Sequence, residues 1–282
     1  MKTPNQTHGV VLITGCASGI GRALAQAFHA RGLRVCATAR RVDALADLKA
    51  ADILTLPLDV TNPSDFEAVQ ATLAAQGLHI DILVNNAGYG AMGPLLDMPA
   101  QAWQKQFDVN VFAPVSLIRA VLPDMIERRQ GLIVNISSVS GVLPTPFASA
   151  YCASKAAMNA LSDTLRMEVA PFGIRVVTVQ PGGIQSGFGD AAAQATELSP
   201  GSPYQRVRDA IYARARGSQD NATPADAFAE RMVEQVLRLH CPAVLRIGQK
   251  SRLMPAIKRW LPEAWIDRML SKKFDLDRVS HG

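Results

Sequence analysis

The sequence has few of the residues that build disulfide frameworks or metal sites. A chain of 282 residues does not need disulfides to hold its core, and its four cysteines form no C-x-x-C pair. We predict reduced thiols in a cytoplasmic protein, at Cys16, Cys36, Cys152 and Cys241. Five histidines are dispersed without an acidic cluster beside them, at His8, His29, His79, His240 and His281. Because this spacing does not suit metal ligands, we expect no metal centre.

Long runs of one residue class are also missing. The formal net charge is +5, but the lysines and arginines are scattered, so we expect no nucleic-acid partner. No apolar run approaches the roughly 18 residues that span a bilayer. The amino-terminal MKTPNQTHG is polar and predicts no secretory signal. With 48% hydrophobic and 19% charged residues, the chain can bury a sizeable core.

Short β-branched runs alternate with helical patterns along the chain. Continuous apolar strands separated by helices are typical of a parallel sheet that helices cover on both faces. The sequence contains no internal repeat and no Gly/Ser-rich linker, so we predict one α/β domain over residues 1–282. The predicted strands span residues 10–14, 33–39, 53–60, 80–86, 131–137, 174–180 and 243–248.

Two regions depart from this alternation. Residues 186–222 are rich in small and polar residues, which predicts a lid or a mobile surface segment before a helix with Thr223 as N-cap and Pro224 in its first position. Residues 251–282 form a basic and apolar extension. It could cover the substrate entrance, pack on a partner subunit or lie in a membrane interface. The prolines at 255 and 262 favour the first two roles, because they interrupt a long interfacial helix.

The first strand runs into the glycine-rich string TGCASGIG at residues 14–21. Such a turn before a helix lets the backbone approach a pyrophosphate, and the helix N-terminus then offers it free N–H groups. The glycines are Gly15, Gly19 and Gly21, a spacing that differs from G-x-G-x-x-G. An ordinary tight turn is the alternative interpretation.

Two further motifs extend this pattern. The string Thr-Gly-x-x-x-Gly-Ile-Gly, with NNAG at 85–88 and Y-x-x-x-K at 151–155, resembles the short-chain dehydrogenase/reductase family over about residues 8–190. The resemblance implies a doubly wound Rossmann fold with seven parallel strands. It also implies that a dinucleotide contacts the glycine turn and the NNAG segment, at Gly15, Ser18, Gly19, Ile20, Gly21, Asn86, Ala87 and Gly88.

The end of the second predicted strand, ATARR, indicates which dinucleotide binds. Ala39 stands where a carboxylate would accept from the ribose 2′-hydroxyl, and Arg40 and Arg41 follow it. Guanidinium groups match the oxygens of a 2′-phosphate, and Ser18 adds a hydroxyl, so we predict NADP(H). The alternative is that these arginines open a solvated helix.

Asp59 and Val60, in LDVT, resemble the family's adenine-contacting pair. An aspartate that caps the next helix is an equal alternative. Further along, PGGIQS resembles the family's Pro-Gly-x-Ile-x-Thr loop, with Ser186 in place of the threonine. The resemblance implies that this loop covers the nicotinamide amide, through Pro181, Gly182, Ile184 and Ser186.

Tyr151 and Lys155 lie one helical turn apart on one face. A tyrosine has a reference pKa near 10 and is a weak base at neutral pH. A nearby ammonium favours the phenolate, so we expect Lys155 to lower the pKa of Tyr151 and make it a general acid/base. The resemblance implies that Lys155 also holds the nicotinamide ribose. An exposed Tyr/Lys helix face is the bland alternative.

Helper residues lie at set distances from this pair. Ser138, rather than its neighbour Ser137, resembles the serine that hydrogen-bonds the substrate oxygen, and adjacent strand side chains point to opposite faces. Asn110 resembles the asparagine that supports the lysine through water. The nicotinamide performs the hydride transfer, so the protein positions the reactants and stabilises charge.

These residues predict an NADP(H)-dependent oxidoreductase that acts on a carbonyl or secondary alcohol. A non-catalytic NADP-binding regulator is the alternative, although all four catalytic positions are filled. An apolar pocket predicts a small apolar substrate of steroid, retinoid or long-chain ketone type, lined by Met92, Val142, Leu143, Phe147 and residues of 187–216. The family's helix pairing implies a homodimer or homotetramer, through Val115, Ile118, Val121, Ala157, Leu161 and Leu165.

Overall fold

A computed structural model describes residues 8–279. Seven parallel strands form one sheet in the order β3-β2-β1-β4-β5-β6-β7, which confirms the predicted doubly wound α/β fold. The strands are β1 Gly9–Ile13, β2 Val35–Ala39, β3 Leu54–Pro57, β4 His79–Asn85, β5 Gly131–Ile136, β6 Ile174–Val179 and β7 Val244–Leu245. Each lies within or overlaps a predicted strand. β3 and β7 are shorter than predicted because residues 58–60 turn away and β7 pairs over two residues only.

Helices cover both faces of the sheet. The main helices are α1 Gly19–His29, α2 Ala46–Ala50, α3 Pro63–Ala75, α4 Ala100–Phe107, α5 Ala113–Arg128, α6 Ser149–Val169, α7 Phe188–Gln194, α8 Arg208–Arg216, α9 Ala225–Val236, α10 Leu253–Trp260 and α11 Glu263–Lys273. On one face, Phe28 of α1 and Phe228 of α9 are fully buried against the sheet. On the other, α3, α5 and α6 pack through residues such as Leu73, Leu117 and Leu165. Burying each such side chain stabilises the fold by about 1.5–3 kcal/mol.

A π-helical turn, Asp108–Phe112, joins α4 and α5 into one continuous helix. This combined helix, residues 100–128, has 29 residues and could cross a membrane by its length and composition alone. Such a helix was not predicted from the sequence. Leu117, Val121 and Met125 of this helix are nevertheless buried against the sheet.

The region 186–222 contains two helices, α7 and α8, rather than an irregular segment. The predicted N-cap of the next helix is wrong: α9 begins at Ala225, and Pro224 is the flanking residue with an extended ψ of 140°. Thr223 has another role, because its Oγ1 accepts a hydrogen bond from the Gln249 N–H at 3.1 Å. It therefore ties the start of α9 to the segment after β7.

The carboxyl-terminal extension folds back onto the protein as α10 and α11. Pro255 does not break α10, since it lies in the first turn, where the helix has no N–H bond to lose. Pro262 does end it and precedes α11. Ile266, Leu270 and Phe274 are buried against α8 and the segment after β5. Other apolar side chains remain exposed, at Leu253, Trp260, Leu261, Trp265 and Met269.

Some residues on the helix faces predicted to form a subunit interface are buried within this chain, and others are partly exposed. Ile118, Val121 and Leu165 are buried against this chain's own sheet, so the sheet accounts for them. Val115, Ala157 and Leu161 remain partly exposed. The same helical segments expose larger apolar side chains, with Phe112 at 53% and Met167 at 62% exposure. A partner on these helices would thus meet half of the predicted residues, together with Phe112 and Met167.

Candidate active site

The glycine turn after β1 adopts conformations that exclude other residues. Gly15 and Gly19 have φ of +74° and +56°. A Cβ at Gly15 would lie 2.9 Å from the Ala87 Cα, and one at Gly19 would lie 2.9 Å from the Ser186 Cβ. A Cβ at Gly21 would collide with the Gly15 carbonyl oxygen. The glycines therefore let the segments after β1, β4 and β6 converge at the N-terminus of α1.

Hydrogen bonds hold this convergence in place. Thr14 Oγ1 accepts from the Asn86 N–H at 3.1 Å and from the Ala87 N–H at 2.9 Å. The Asn86 side-chain amide donates back to the Thr14 carbonyl at 2.8 Å. Ser18 is the N-cap of α1 and its hydroxyl makes no capping bond, while Ile20 packs on the core. The start of α1 thus presents N–H groups to an anion.

Arg40 follows Ala39 at the end of β2 and is exposed. None of the ion pairs among residues 8–279 involves Arg40, whereas Arg41 lies 3.7 Å from Asp43 and both of those side chains face solvent. The alternative of a solvated helix start therefore fits Arg41. Among the described residues Arg40 forms no ion pair, so its guanidinium is available for a 2′-phosphate.

Asp59 does not cap a helix, so that alternative is wrong. Its Oδ1 accepts from the Thr61 N–H at 2.9 Å and from the Thr61 hydroxyl at 2.7 Å, while Asn62 caps α3 through Ser64 N. These bonds, with a smaller contribution from the charge of Arg40, lower the pKa of Asp59. Asp59 therefore lies within electrostatic range of Arg40, and Val60 is partly buried against the core.

Tyr151 and Lys155 lie in the first two turns of α6. The Lys155 Nζ is 5.9 Å from the centre of the Tyr151 ring and donates to the Ile136 carbonyl at 2.8 Å. Lys155 is only 6% exposed, and Tyr151 is partly exposed. Ser138 follows β5 by two residues and lies close enough to Tyr151 for hydrogen bonding to lower the pKa of the tyrosine. The exposed-face alternative is wrong for this pair.

Burial dominates the electrostatics of the pair. It lowers the pKa of Lys155 to about 8. It also raises the pKa of Tyr151, opposed by the hydrogen bond from Ser138 and by the positive charge of Arg214. The prediction that Lys155 lowers this pKa is therefore not met. The Lys155 ammonium donates to a carbonyl instead, and the cation that favours the phenolate comes from α8.

The two neighbouring serines have different partners. Ser137 donates to the Lys155 carbonyl at 3.1 Å and so holds α6 to β5. Ser138 accepts from the Ser140 N–H at 3.1 Å and reaches the Tyr151 hydroxyl. Alternation at the end of the strand thus directs Ser138, and not Ser137, to the reactive oxygen.

Asn110 lies in the π-helical turn between α4 and α5, a feature frequent at functional sites. Its amide accepts from the Tyr89 N–H and donates to the Tyr89 carbonyl, both at 3.0 Å, and donates to Ser154 Oγ at 3.2 Å. A Cβ at Gly88 would lie 3.4 Å from Asn110 Oδ1 and 3.7 Å from Lys155 Nζ. Asn110 and Lys155 therefore border the same small space at Gly88.

The loop after β6 reaches the glycine turn from the opposite side. The Pro181 carbonyl accepts from the Val139 N–H at 3.2 Å, and a Cβ at Gly182 would collide with the Gln249 carbonyl. Ile184 is buried. The Ser186 N–H donates to Gln219 Oε1 at 3.0 Å. This loop thus spans the distance between the Tyr151 region and the start of α1.

The lid helices pack directly over Tyr151. Phe188 of α7 lies 5.4 Å from the Tyr151 ring, centre to centre, and both join a cluster with Met92 and Cys152. The residues predicted to line one apolar pocket therefore lie in two separate clusters, with Met92 beside Tyr151 and Phe147 behind the lid. Leu143 and Phe147 are buried behind the lid with the tail, and Val142 is partly exposed. The cavity of about 170 Å³ beside Met92 is lined by carboxylates as well, from Asp97 and Glu197.

Sequence reasoning missed three polar side chains around this site. Gln106 is fully buried and holds the Tyr89–Ala91 backbone through both of its amide atoms. Its position four residues before Asn110 was the available signal. Gln219 accepts from Ser186, and Arg214 approaches Tyr151, but neither follows a local pattern. Within residues 8–279 no group of three or more His, Cys, Asp or Glu side chains could hold a metal, and His281 lies outside the described residues.

Comparisons with known proteins agree with this geometry. A family profile described as short chain dehydrogenase matches residues 9–197. The chain is 42% identical to the short-chain dehydrogenase ptmH of Penicillium ochrochloron, over 80% of this chain and 84% of that protein. It is 31% identical to the NADPH-dependent 1-acyldihydroxyacetone phosphate reductase of Saccharomyces cerevisiae, over 98% and 95%.

Solved structures are similar over most of the chain. A short-chain dehydrogenase from Streptomyces avermitilis is 33% identical, with a TM-score of 0.78 over 99% of both chains. A serine dehydrogenase complexed with NADP+ is 29% identical, with a TM-score of 0.73 over 86% of this chain and 96% of that one. A 4-hydroxyisoleucine dehydrogenase complexed with NADH and succinate is 33% identical, with a TM-score of 0.60 over 63% and 78%.

Proposed function

Because the chain belongs to the short-chain dehydrogenase family, we propose that it is an NADP(H)-dependent oxidoreductase acting on a carbonyl or secondary alcohol. One observation carries the proposal. Tyr151, Lys155 and Ser138 lie together at the carboxyl ends of the strands that also hold the glycine turn, with the Lys155 Nζ 5.9 Å from the centre of the Tyr151 ring and Ser138 near enough to lower the pKa of Tyr151. Ligands of open parallel sheets bind at this edge.

The residues of the site have separable roles. Tyr151 gives a proton to the carbonyl oxygen during reduction and takes it back during oxidation. Ser138 donates a hydrogen bond to the same oxygen, which stabilises its developing charge. Lys155 holds the ribose hydroxyls beside Tyr151, and Asn110 positions the backbone of Tyr89 on the far side of Gly88. The nicotinamide, when bound, supplies or accepts the hydride.

The cofactor site fits a dinucleotide phosphate. At Gly15 and Gly19 there is no space for a side chain, so only backbone fits there. The N–H groups at the start of α1 receive no capping hydrogen bond from the Ser18 side chain. Ala39 provides no carboxylate for a 2′-hydroxyl, and Arg40 is exposed without an ion pair among the described residues. One relative is named as NADPH-dependent and one similar structure holds NADP+, although another holds NADH.

The substrate, assembly and location are parts of the same proposal. Phe188, Met92 and the alanines of the lid present an apolar surface over Tyr151, which favours an apolar substrate body of steroid, retinoid or long-chain ketone type. We expect a cytoplasmic homodimer or homotetramer, and light scattering at micromolar concentration distinguishes these assemblies from a monomer. The tail packs on the lid, which supports a role in substrate cover rather than membrane contact.

A substrate screen tests the activity. The purified protein is incubated with NADPH and a panel of apolar ketones and aldehydes, and absorbance of the reduced nicotinamide is followed. Oxidation of NADPH by wild type, but not by Tyr151→Phe, is expected. Tight NADPH binding without turnover of any member of the panel, in either direction, would instead support the non-catalytic regulator.

A further inference from the structure

Arg214 of α8 extends from the lid toward the active-site helix. Its Nε donates to the Thr145 hydroxyl at 2.7 Å, and Ala215, the next residue of α8, packs in one cluster with Tyr151 and Cys152. Cys152 directly follows Tyr151 and is buried with it under the lid. The guanidinium therefore lies beside the reactive tyrosine, on the side that the lid closes.

This guanidinium has no carboxylate partner. None of the ion pairs among residues 8–279 involves Arg214, and burial lowers its pKa. An arginine nevertheless keeps its charge in proteins, and the bond to the Thr145 hydroxyl uses only one of its five N–H donors. A half-buried charge without a counter-ion is costly, so a purely structural role would favour a neutral side chain here. Arg216, two residues later, is 63% exposed and lies 3.7 Å from Asp190.

Two lysines from other elements add positive charge around Arg214. Lys250 follows β7 and Lys273 ends α11. Besides burial, the charges of Lys250 and Arg214 lower the pKa of Lys273, and Asp220 is the acid that opposes them. Lys273 of the tail therefore lies within electrostatic range of Arg214 and adds positive charge on that side of the lid, which favours an anion from solution.

We propose that Arg214 binds an anionic group of the substrate, a carboxylate or a phosphate, and holds the carbonyl of that substrate against Tyr151. The planar fork of a guanidinium matches the oxygens of either group in a bidentate fashion. The inference rests on the proposed oxidoreductase function and narrows its substrate to a molecule with an apolar body and an anionic group. The substrate then supplies the counter-charge that the protein lacks.

Paired substrates and variants test this role. A series of 2-, 3-, 4- and 5-oxo acids is compared with the corresponding methyl esters, and dihydroxyacetone phosphate with dihydroxyacetone. The ester and the unphosphorylated ketone keep the carbonyl and remove the charge. Arg214→Met removes the cation at similar length, and Arg214→Lys keeps the charge without the fork. Arg216→Met is the matched control, because it removes an exposed charge from the same helix.

We expect wild type to prefer one charged series over its neutral partners. In Arg214→Met, kcat/KM for the charged substrates should fall by about 30-fold or more, from the loss of a charge-assisted pair, with the neutral ones changed less than about threefold. Arg214→Lys should recover part of the preference, and Arg216→Met should retain it. Preference for oxo acids assigns a carboxylate, and preference for dihydroxyacetone phosphate assigns a phosphate.

Equal losses for charged and neutral substrates would overturn the inference, because they indicate that Arg214 only latches the lid to Thr145. Absence of any charge preference in wild type would overturn it as well. If no substrate turns over, the oxidoreductase proposal fails. Calorimetry of succinate or inorganic phosphate binding in the presence of NADP+ then still tests whether Arg214 binds an anion. Anion binding by wild type that Arg214→Met loses supports the site, while equal binding or none overturns it.

Discussion

The Lys155 ammonium lies 5.9 Å from the centre of the Tyr151 ring, yet it donates its hydrogen bond to the Ile136 carbonyl at 2.8 Å. The lysine is thus anchored to the end of β5 while it remains beside the tyrosine. Tyr151 is held separately, through Ser138. Because the two side chains have different anchors, they can be tested independently.

Tyr151→Phe should keep NADPH affinity within about threefold and reduce turnover by about 10²–10⁴-fold, since it removes the transferable proton and leaves the ring. NADPH fluorescence titration and steady-state kinetics measure the two effects. Tyr212→Phe is the control, because that hydroxyl bonds the Thr196 carbonyl in the lid. Near-normal turnover in Tyr151→Phe would refute the assigned acid/base role.

The buried Lys155 should make stability depend on pH. Its pKa of about 8 in the folded protein is below the usual 10.5, so the folded state binds this proton more weakly than the unfolded state does. The cost of burying the charge is complete below pH 8 and disappears as pH rises toward 10.5. Between pH 7 and pH 10, the free energy of unfolding of wild type should rise by on the order of 2–3 kcal/mol relative to that of Lys155→Met.

Urea unfolding of both proteins without cofactor, at pH 7, 8.5 and 10, measures this difference. The other titrating groups are common to the two proteins and cancel. The lost hydrogen bond to Ile136 shifts the difference by a constant amount and leaves its slope with pH. A difference that stays constant across this range would show that Lys155 titrates normally.

Arg40→Asp should shift cofactor preference toward NADH, because an acid there accepts from a 2′-hydroxyl and repels a 2′-phosphate. We expect the ratio of kcat/KM for NADPH to that for NADH to fall by about 100-fold or more, from the lost attraction and the added repulsion. Arg41→Asp is the control, since Arg41 is 79% exposed and faces Asp43. Equal use of both cofactors by wild type would contradict the cofactor proposal.

Gly19→Ala should weaken cofactor binding more than its backbone strain alone explains. Its φ is +56°, and the new Cβ would lie 2.9 Å from Ser186 Cβ. Gly32→Ala is a matched control, with φ of +75° and no atom within 4 Å of the new Cβ. Both changes should cost about 1–2 kcal/mol of unfolding free energy from the left-handed backbone. Only Gly19→Ala should also lower NADPH affinity, and equal affinity in the two variants would exclude the turn from cofactor binding.

Phe274→Ala should raise KM for bulky apolar substrates more than for small ones. Phe274 lies 6.4 Å from Phe147, centre to centre, and Phe147 contacts Tyr204 of the lid region at 5.8 Å. Losing this buried ring costs about 3–5 kcal/mol of packing, which loosens the lid. Trp260→Ala is the control, because Trp260 is 74% exposed.

Deleting residues 251–282 should change KM in the same direction, with NADPH affinity little altered. An equal effect on all substrates would argue against substrate cover. Loss of binding to anionic lipid vesicles as the sole change, especially in Trp260→Ala, would assign the tail to a membrane surface instead.

The sequence by itself determined the order of strands and helices, the glycine turn and the grouping of Tyr151 with Lys155. These features depend on local periodicity and local backbone conformation. Gly15 and Gly19, for example, occupy positive φ values that a side chain resists. The spacing from Ser138 to Tyr151 was also readable, because Ser138 closely follows β5 and Tyr151 lies in the first turn of α6.

Tertiary structure alone decided the charges around these residues. The pKa of Lys155 depends on how deeply α6 lies against β5, and the strand and helix patterns do not contain that depth. Arg214 meets Thr145 across 69 residues of chain. In the sequence it is one of several arginines in a polar region. Only the burial of Ile211 against the tail and of Ala215 against the start of α6 directs it toward Tyr151. Long-range packing sets such orientations, because the burial of a helix face depends on what the rest of the chain places against it.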